Sequence, residues 1–337
     1  MENPISLANR GVALGIVGTN FISDWLCEAA ASCGLPIAAV YSRRRETGNA
    51  FAAKHNIAAV YDDFDAFCHS KLFNAAYVAS PNSCHFAQAR ALLRADKHVL
   101  CEKPITPSLA DFLTLRDTAA ETKKVLLEAM RPAYDPSFET IRSLLPRCGT
   151  LRHAVFEYSQ YSSRYDRFKN GIMTNAFDPT LSNAAVMDIG IYPLHLCARL
   201  FGKPKNILSH SVLLSNGFEG QGTVILDYGD MTALIVYSKI TEAALPSLIR
   251  GEEGEIHFGK ALSKVSEVSF VPRNGAAEKS GFQPSENNMV FELSAFCDCI
   301  DGKRDYSDEL KASEIALEII DTIRRDNNIR FPSDSRL

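Results

Sequence analysis

Three side chains capable of acid–base chemistry, Asp188, Tyr192 and His195, stand close together in FDPTLSNAAVMDIGIYPLHLCARLFG, residues 177 to 202. Spacings of four and then three residues put all three on one face of an α-helix. A free tyrosine, with a pKa of about 10, is a poor base at neutral pH. A nearby lysine ammonium lowers that value, and a carboxylate can orient the hydroxyl or a substrate. A second group lies in AYVASPNSCHFAQARALLRADKHVLCEKP, residues 76 to 104, which holds Ser80-Pro81-Asn82, His85 and Glu102-Lys103-Pro104. Two further stretches, Gly18-Thr19-Asn20-Phe21-Ile22-Ser23 and Ser42-Arg43-Arg44-Arg45, have the composition of anion sites. A glycine turn ahead of a helix offers free backbone amides to phosphate, and arginine binds phosphate through charge-assisted hydrogen bonds.

Each group needs a strand end to place it. Residues 76 to 79 form the short apolar run of a strand buried on both faces. Between 83 and 95, Phe86, Ala89, Leu92 and Leu93 recur at helical spacing, and His98 to Cys101 is a second apolar strand. Parallel strands joined by a crossover helix bring both turns to the carboxyl edge of one sheet, where open α/β sheets bind ligands. Upstream, residues 12 to 17 predict the first strand, followed by a helix through Cys33 with Gly34 as its C′ residue. The dinucleotide frame G-x-G-x-x-G falls on 18, 20 and 23, and only Gly18 keeps it. Asn20 is the non-glycine residue best suited to left-handed backbone, and Ser23 is small enough for close helix packing. Alone, this stretch reads equally as an ordinary strand–helix turn; beside the downstream stretch it reads as a phosphate-binding turn. The second strand, residues 36 to 41, ends in Ser42-Arg43, with no acid before Glu46. Enzymes selective for NAD place an acid there, whereas a hydroxyl followed by arginines suits the extra phosphate of NADP. NADP(H) is therefore expected over NAD(H), the alternative being that the arginines are the solvated first turn of the next helix. A helix from Pro107 to Thr122 and a sixth strand at 125 to 129 lead to Arg131.

The pattern PN-x-x-H followed by KHVLCEKP resembles the glucose–fructose oxidoreductase and inositol dehydrogenase (Gfo/Idh/MocA) family. The resemblance implies that the Pro81-Asn82 and Glu102-Lys103-Pro104 turns meet the nicotinamide end of NAD(P), and that Lys103 assists proton transfer. It also implies that Arg131 contacts the cofactor at the crossover to the second domain, the alternative being a domain hinge with an interface ion pair. Asp188, Gly190 and Tyr192 match the family's D-x-G-x-[YH] helix, as in the tyrosine-bearing branch that includes dimeric dihydrodiol dehydrogenase. Ser182-Asn183-Ala184-Ala185 replaces the glycines usual before it. On this reading Tyr192 donates or accepts the proton, Lys103 is its electrostatic partner, and Asp188 is the orienting group. His195 is either a further substrate contact or a hydrogen-bonded structural residue. The expected activity is NAD(P)-dependent hydride transfer to or from a sugar, polyol or related hydroxy/keto compound. The alternative is a non-catalytic NAD(P)-binding regulator of the same fold.

At 337 residues the chain suits two domains. These are an N-terminal Rossmann α/β domain over 1–131 and a C-terminal α+β domain over 132–337 with a large, mostly antiparallel sheet. The second half carries strand-like runs at 151–161, 207–214, 223–228, 231–238, 247–250, 255–258 and 264–271, with hairpin turns at Gly229-Asp230 and 251 to 254. Residues 274 to 285 read as a polar loop, and helices near 288–300 and 308–325 close the chain. A net charge of −4 gives no basic footprint for nucleic acid. No apolar run approaches the roughly 18 residues of a membrane span, and MENPISLANRG lacks a signal-peptide pattern. There are nine cysteines and no C-x-x-C, and most of them read as buried free thiols of a cytoplasmic protein, with no metal cluster. VILDYGDMTALIVYS is apolar on both strand faces, which predicts a homodimer or a dimer of dimers through the sheet, the alternative being that the loop at 274–285 or a terminal helix covers the second face.

Overall fold

A computed structural model describes residues 5–243, 246–259 and 261–336. The first sheet has six parallel strands, β1 (Leu14–Val17), β2 (Ile37–Tyr41), β3 (Ala59–Tyr61), β4 (Ala75–Val78), β5 (His98–Glu102) and β6 (Leu126–Ala129). Their order is β3-β2-β1-β4-β5-β6, so the winding reverses between β1 and β4. Every residue of β1 and β4 is buried, the pattern expected of strands covered on both faces. The crossovers are helices α1 (Phe21–Cys33), α2 (Arg45–His55), α3 (Phe64–Cys68), α4 (Asn82–Arg94) and α5 (Leu109–Thr122). Gly34 ends α1 with φ 74, as the sequence predicts.

The second part opens with α6 (Pro136–Leu144), and continues through β7 (Leu151–Ser159), α7 (Tyr165–Lys169) and α8 (Ile191–Phe201). Seven more strands follow: β8 (Asn206–Leu213), β9 (Glu219–Asp227), β10 (Thr232–Ser238), β11 (Ser247–Gly251), β12 (Gly254–Phe258), β13 (Val268–Pro272) and β14 (Glu278–Lys279). With β7 they form one eight-stranded sheet in the order β14-β13-β12-β11-β7-β10-β9-β8. Among the described residues of this sheet only β7 and β10 pair in parallel. The run expected from 264 starts at Val268 because Lys264 N–H closes a turn onto Ala261 O at 3.0 Å. The expected loop at 274–285 holds β14, which pairs with β13 and extends the sheet edge.

One face of this sheet is core: Ala154, Phe156, Val224, Leu226, Ala233, Ile235, Tyr237, Ile249 and Ile256 are buried. The opposite face carries an apolar row in direct register, Leu208–Ile225–Leu234–Val155–Leu248, across five neighbouring strands. Leu208 is 67% exposed and Ile225 40%.

The chain divides into two compact units, one running to Arg131 and including Glu286–Leu310, the other comprising Pro132–Ser285 with Lys311–Leu337. The sequence reading assigns everything after 131 to the second domain. Instead α9 (Met289–Ile300) lies in the first unit, burying Leu293, Phe296 and Cys297. Arg10 donates to Asp298 at 2.8 Å and also to Asp301, and Asn287 Nδ2 donates to Trp25 O at 2.8 Å. Helical periodicity predicts α9 but carries no record of which unit receives its apolar face. The last helix, α10, spans Ser307–Asp326. Among the described residues no helix is long and apolar enough to cross a membrane.

Candidate active site

In the first unit, turns after β1, β2, β4 and β5 gather the predicted cofactor residues at the carboxyl ends of the strands. Gly18 has φ 106, and a Cβ there would lie 2.7 Å from Ala79 O, so the turn after β1 approaches the end of β4 only as glycine. Asn20, expected in left-handed backbone, is extended instead (φ −88, ψ 177) and caps α1. Its side-chain oxygen accepts from Ile22 N at 2.9 Å and Ser23 N at 3.3 Å, and its amide donates to Ala79 O at 2.6 Å. A short amide side chain finds these nearby partners without positive φ. The backbone N–H groups of Thr19, Asn20 and Phe21 have no acceptor among the described residues, and the N-terminus of a 13-residue helix points the same way. This arrangement fits a phosphate.

Ser42 is 9% exposed, with its hydroxyl 3.1 Å from Thr47 Oγ1, so it faces the α2 turn. Arg45 pairs with Asp62 at 3.0 Å. Arg43 and Arg44 are exposed and keep no side-chain partner among the described residues. His85 is buried, its Nδ1 2.9 Å from Pro104 O and its Nε2 2.8 Å from Ser80 O. Both ring nitrogens face carbonyl oxygens, and the neutral ring donates its single N–H to one of the two, so His85 sits packed between the Ser80 turn and the Lys103-Pro104 turn and braces the predicted cofactor turns. Burial lowers its pKa against the opposing pull of the two carbonyls. Glu102 is also directed inward, accepting from Tyr77 OH at 2.5 Å and from Lys103 N at 3.2 Å. Tyr77 is fully buried, and desolvation followed by the Glu102 charge pushes its phenol up, which keeps it the donor. Lys103 and Asn82 are half-buried, and the Arg131 guanidinium lies 5.6 Å over the exposed Trp25 ring.

In the second unit Asp188 does not sit on a regular α-helix. Val186–Gly190 form one π-helical turn that runs directly into α8. Such turns admit an extra residue and re-aim the side chains around them. Tyr192 and His195 line one apolar cavity together with Phe138, Ile141, Leu262 and Val265, whereas Asp188 is not part of its lining. Tyr192 is 5% exposed and meets the Tyr158 ring edge-on at 5.6 Å, and Tyr158 OH lies 2.7 Å from Ser263 Oγ. His195 is 3% exposed, and burial together with the Arg199 charge pushes its pKa down to about 3, so the imidazole is neutral at physiological pH. Of the four residues that stand in place of glycines before this helix, Ser182 takes up left-handed backbone, with φ 57.

Two residues that sequence reasoning missed support the π-turn. Glu219, fully buried, accepts from Val186 N at 2.7 Å, Ser211 Oγ at 2.7 Å and Tyr237 OH at 2.8 Å. Burial raises its pKa to about 7 against those three donors. Lys239, the residue after β10, donates from Nζ to Asp188 Oδ2 at 2.6 Å and to Ala176 O at 3.0 Å. Gly190 leaves room for this packing, because a Cβ there would come within 3.0 Å of the Tyr237 ring.

Residues 12–130 match the family model GFO_IDH_MocA, an oxidoreductase family with an NAD-binding Rossmann fold. The uncharacterised oxidoreductase YgjR of Escherichia coli K12 is 37% identical over 326 residues, covering 96% of this chain and 99% of the relative. The chain belongs to the Gfo/Idh/MocA family. Another member, the scyllo-inositol 2-dehydrogenase (NADP(+)) IolU of Bacillus subtilis, is 36% identical over 96% of this chain and 99% of its own length. Human trans-1,2-dihydrobenzene-1,2-diol dehydrogenase is 24% identical over 96% of this chain and 98% of its own length. Among solved structures, the aldose-aldose oxidoreductase of Caulobacter crescentus superimposes with a TM-score of 0.83 at 20% identity, covering 94% of this chain and 97% of that one. The Gfo/Idh/MocA resemblance read from PN-x-x-H and EKP therefore holds, as does the Rossmann unit followed by a mostly antiparallel sheet. The chain is an NAD(P)-dependent oxidoreductase of this family acting on hydroxy or keto groups, which favours an enzyme over a nucleotide-binding regulator.

Proposed function

We propose that this enzyme interconverts a secondary alcohol of a cyclic polyol and the corresponding ketone, with NADP(H) as the preferred nucleotide. The observation that carries the reading is the near full-length match, at 36% identity, to a dehydrogenase named for scyllo-inositol and NADP(+). The strand-β2 edge supports the nucleotide preference: Arg43 and Arg44 are open to solvent, with no acid before Glu46 to hold a ribose 2′-hydroxyl. In this reading the first unit, through Gly18, the Thr19–Phe21 amides, Ser80–Asn82 and Arg131, holds the nucleotide, and the second unit recognises the polyol. The nicotinamide, when bound, supplies or takes the hydride. Tyr192 gives the proton to the carbonyl oxygen or takes it from the hydroxyl, Lys103 supports that transfer with its positive charge, and Asp188 accepts a substrate hydroxyl. His195, neutral and facing the apolar cavity, helps shape the Tyr192 surroundings and carries no proton in the reaction. The protein works as a homodimer in cytoplasm, joined through the apolar row on the open sheet face. Purified enzyme incubated with NADP(+) or NAD(+) and a panel of inositols, open-chain polyols and aldoses tests the reading. Fastest reduction with an inositol and NADP(+) is expected, whereas turnover confined to aldoses or to NAD(+) would overturn it.

A further inference from the structure

Lys239 is an ammonium placed where lysines are seldom found. It is 4% exposed, and its backbone is pinned on both sides: its N–H donates to Gly220 O at 2.9 Å and its carbonyl accepts from Ser162 N at 2.9 Å. Its Nζ lies beside a pair of packed aromatic rings, 5.2 Å from the Phe177 centroid and 5.5 Å from that of Phe218. At its tip it donates to Ala176 O at 3.0 Å and to Asp188 Oδ2 at 2.6 Å. The pair is asymmetric, since the Asp188 side chain is 38% exposed and the Lys239 side chain only 6%. A buried lysine normally costs several kilocalories per mole of desolvation unless a countercharge and further acceptors are supplied. Here the countercharge is the carboxylate read as the orienting group, mounted on a π-helical turn that Glu219 holds by its first amide.

We propose that Lys239 is a positioning residue for the reaction, fixing the orientation of the Asp188 carboxylate from beneath so that its solvent-facing side meets a substrate hydroxyl. The inference rests on Asp188 being the substrate-orienting group. An anchored carboxylate whose charge is already matched favours a neutral hydroxyl donor over a cationic one, in keeping with a polyol. A mobile carboxylate would have to be ordered on each binding event, and displacement of a positioning group by about 1 Å can cost on the order of 10²-fold in rate.

The test is the crystal structure and the steady-state kinetics of Lys239→Met, which keeps an unbranched stem beside the two rings and removes the charge. The structure is expected to show the Val186–Gly190 backbone unchanged and the Asp188 carboxylate turned away or spread over several positions. With NADP(+) and scyllo-inositol, kcat/KM is expected to fall on the order of 10²-fold while the KM for NADP(+) stays put. The Lys239→Met/Asp188→Asn double variant should then be no slower than Asp188→Asn alone. Lys239→Arg, which restores the charge, is expected to recover rate to within about tenfold of wild type, and stands in should Lys239→Met not fold. An Asp188 carboxylate that stays in place in Lys239→Met, or additive losses in the double variant, would overturn the proposal. Wild-type enzyme that oxidises no polyol would instead overturn the substrate reading, and the Asp188 position in the variant crystals would still decide whether Lys239 holds it.

Discussion

Replacing Glu219 by glutamine should change how stability depends on pH. In the folded protein this carboxyl is fully buried and titrates near 7, raised by desolvation against the Ser211, Val186 and Tyr237 donors; its ordinary value is 4.5. Tyr237, the other titratable group bonded to it, is itself pushed well up by burial and by Glu219, so it stays protonated and does not share the transition. A folded-state pKa above the unfolded one means that the native state retains a proton the unfolded chain has released. The stabilisation is therefore complete below about pH 4.5 and is lost as pH rises through about 7. By linkage, the difference between those two values corresponds to roughly 3 kcal/mol lost across that window. Glutamine is nearly isosteric. Its carbonyl can accept from Val186 N while its amide donates to the two hydroxyl oxygens, and it has no proton to release. Thermal unfolding of wild type and Glu219→Gln from pH 5 to pH 8 measures the effect. The wild-type curve should fall relative to the variant, which should be the more stable protein at the alkaline end. Parallel curves would refute the reasoning and show that Glu219 keeps its charge throughout.

Further outcomes follow from the same geometry. Arg43→Asp should shift preference from NADP(H) toward NAD(H) by removing a phosphate partner and offering a ribose acceptor; calorimetric titration of both nucleotides checks it. Tyr192→Phe and Lys103→Met should each lower kcat on the order of 10²-fold or more, with nucleotide affinity little changed for Tyr192→Phe. Light scattering at micromolar concentration should give at least twice the 37.1 kDa chain mass, and Leu234→Glu, in the middle of the open-face apolar row, should return the protein to that mass.

The strands and crossover helices of the first unit were legible because buried parallel strands are apolar runs and the helices are amphipathic, both local patterns. The turns carrying Gly18 and Lys103 were legible because their residue types are tied to backbone demands. Asn20 was misread because its side chain competes for the helix-end amides, and that capping geometry fits it without left-handed backbone. The π-turn under Asp188 leaves no compositional trace, since it depends on one backbone bond pattern and on a carboxylate from β9 that reaches Val186. Lys239 was invisible for a related reason. It lies 51 residues from Asp188, at the end of an apolar strand, and only the folded sheet brings its ammonium under that carboxylate. The assignment of α9 to the first unit likewise depends on Arg10 and Trp25, far away in the chain.

The most direct measurement of the central claim is the fate of the hydrogen on the substrate carbon. Scyllo-inositol deuterated at its ring carbons, incubated with NADP(+) and the purified enzyme, should yield reduced nucleotide that carries deuterium on the nicotinamide ring, read by mass spectrometry. Reduced nucleotide without the label, or no reduced nucleotide at all, would contradict hydride transfer from a cyclic polyol.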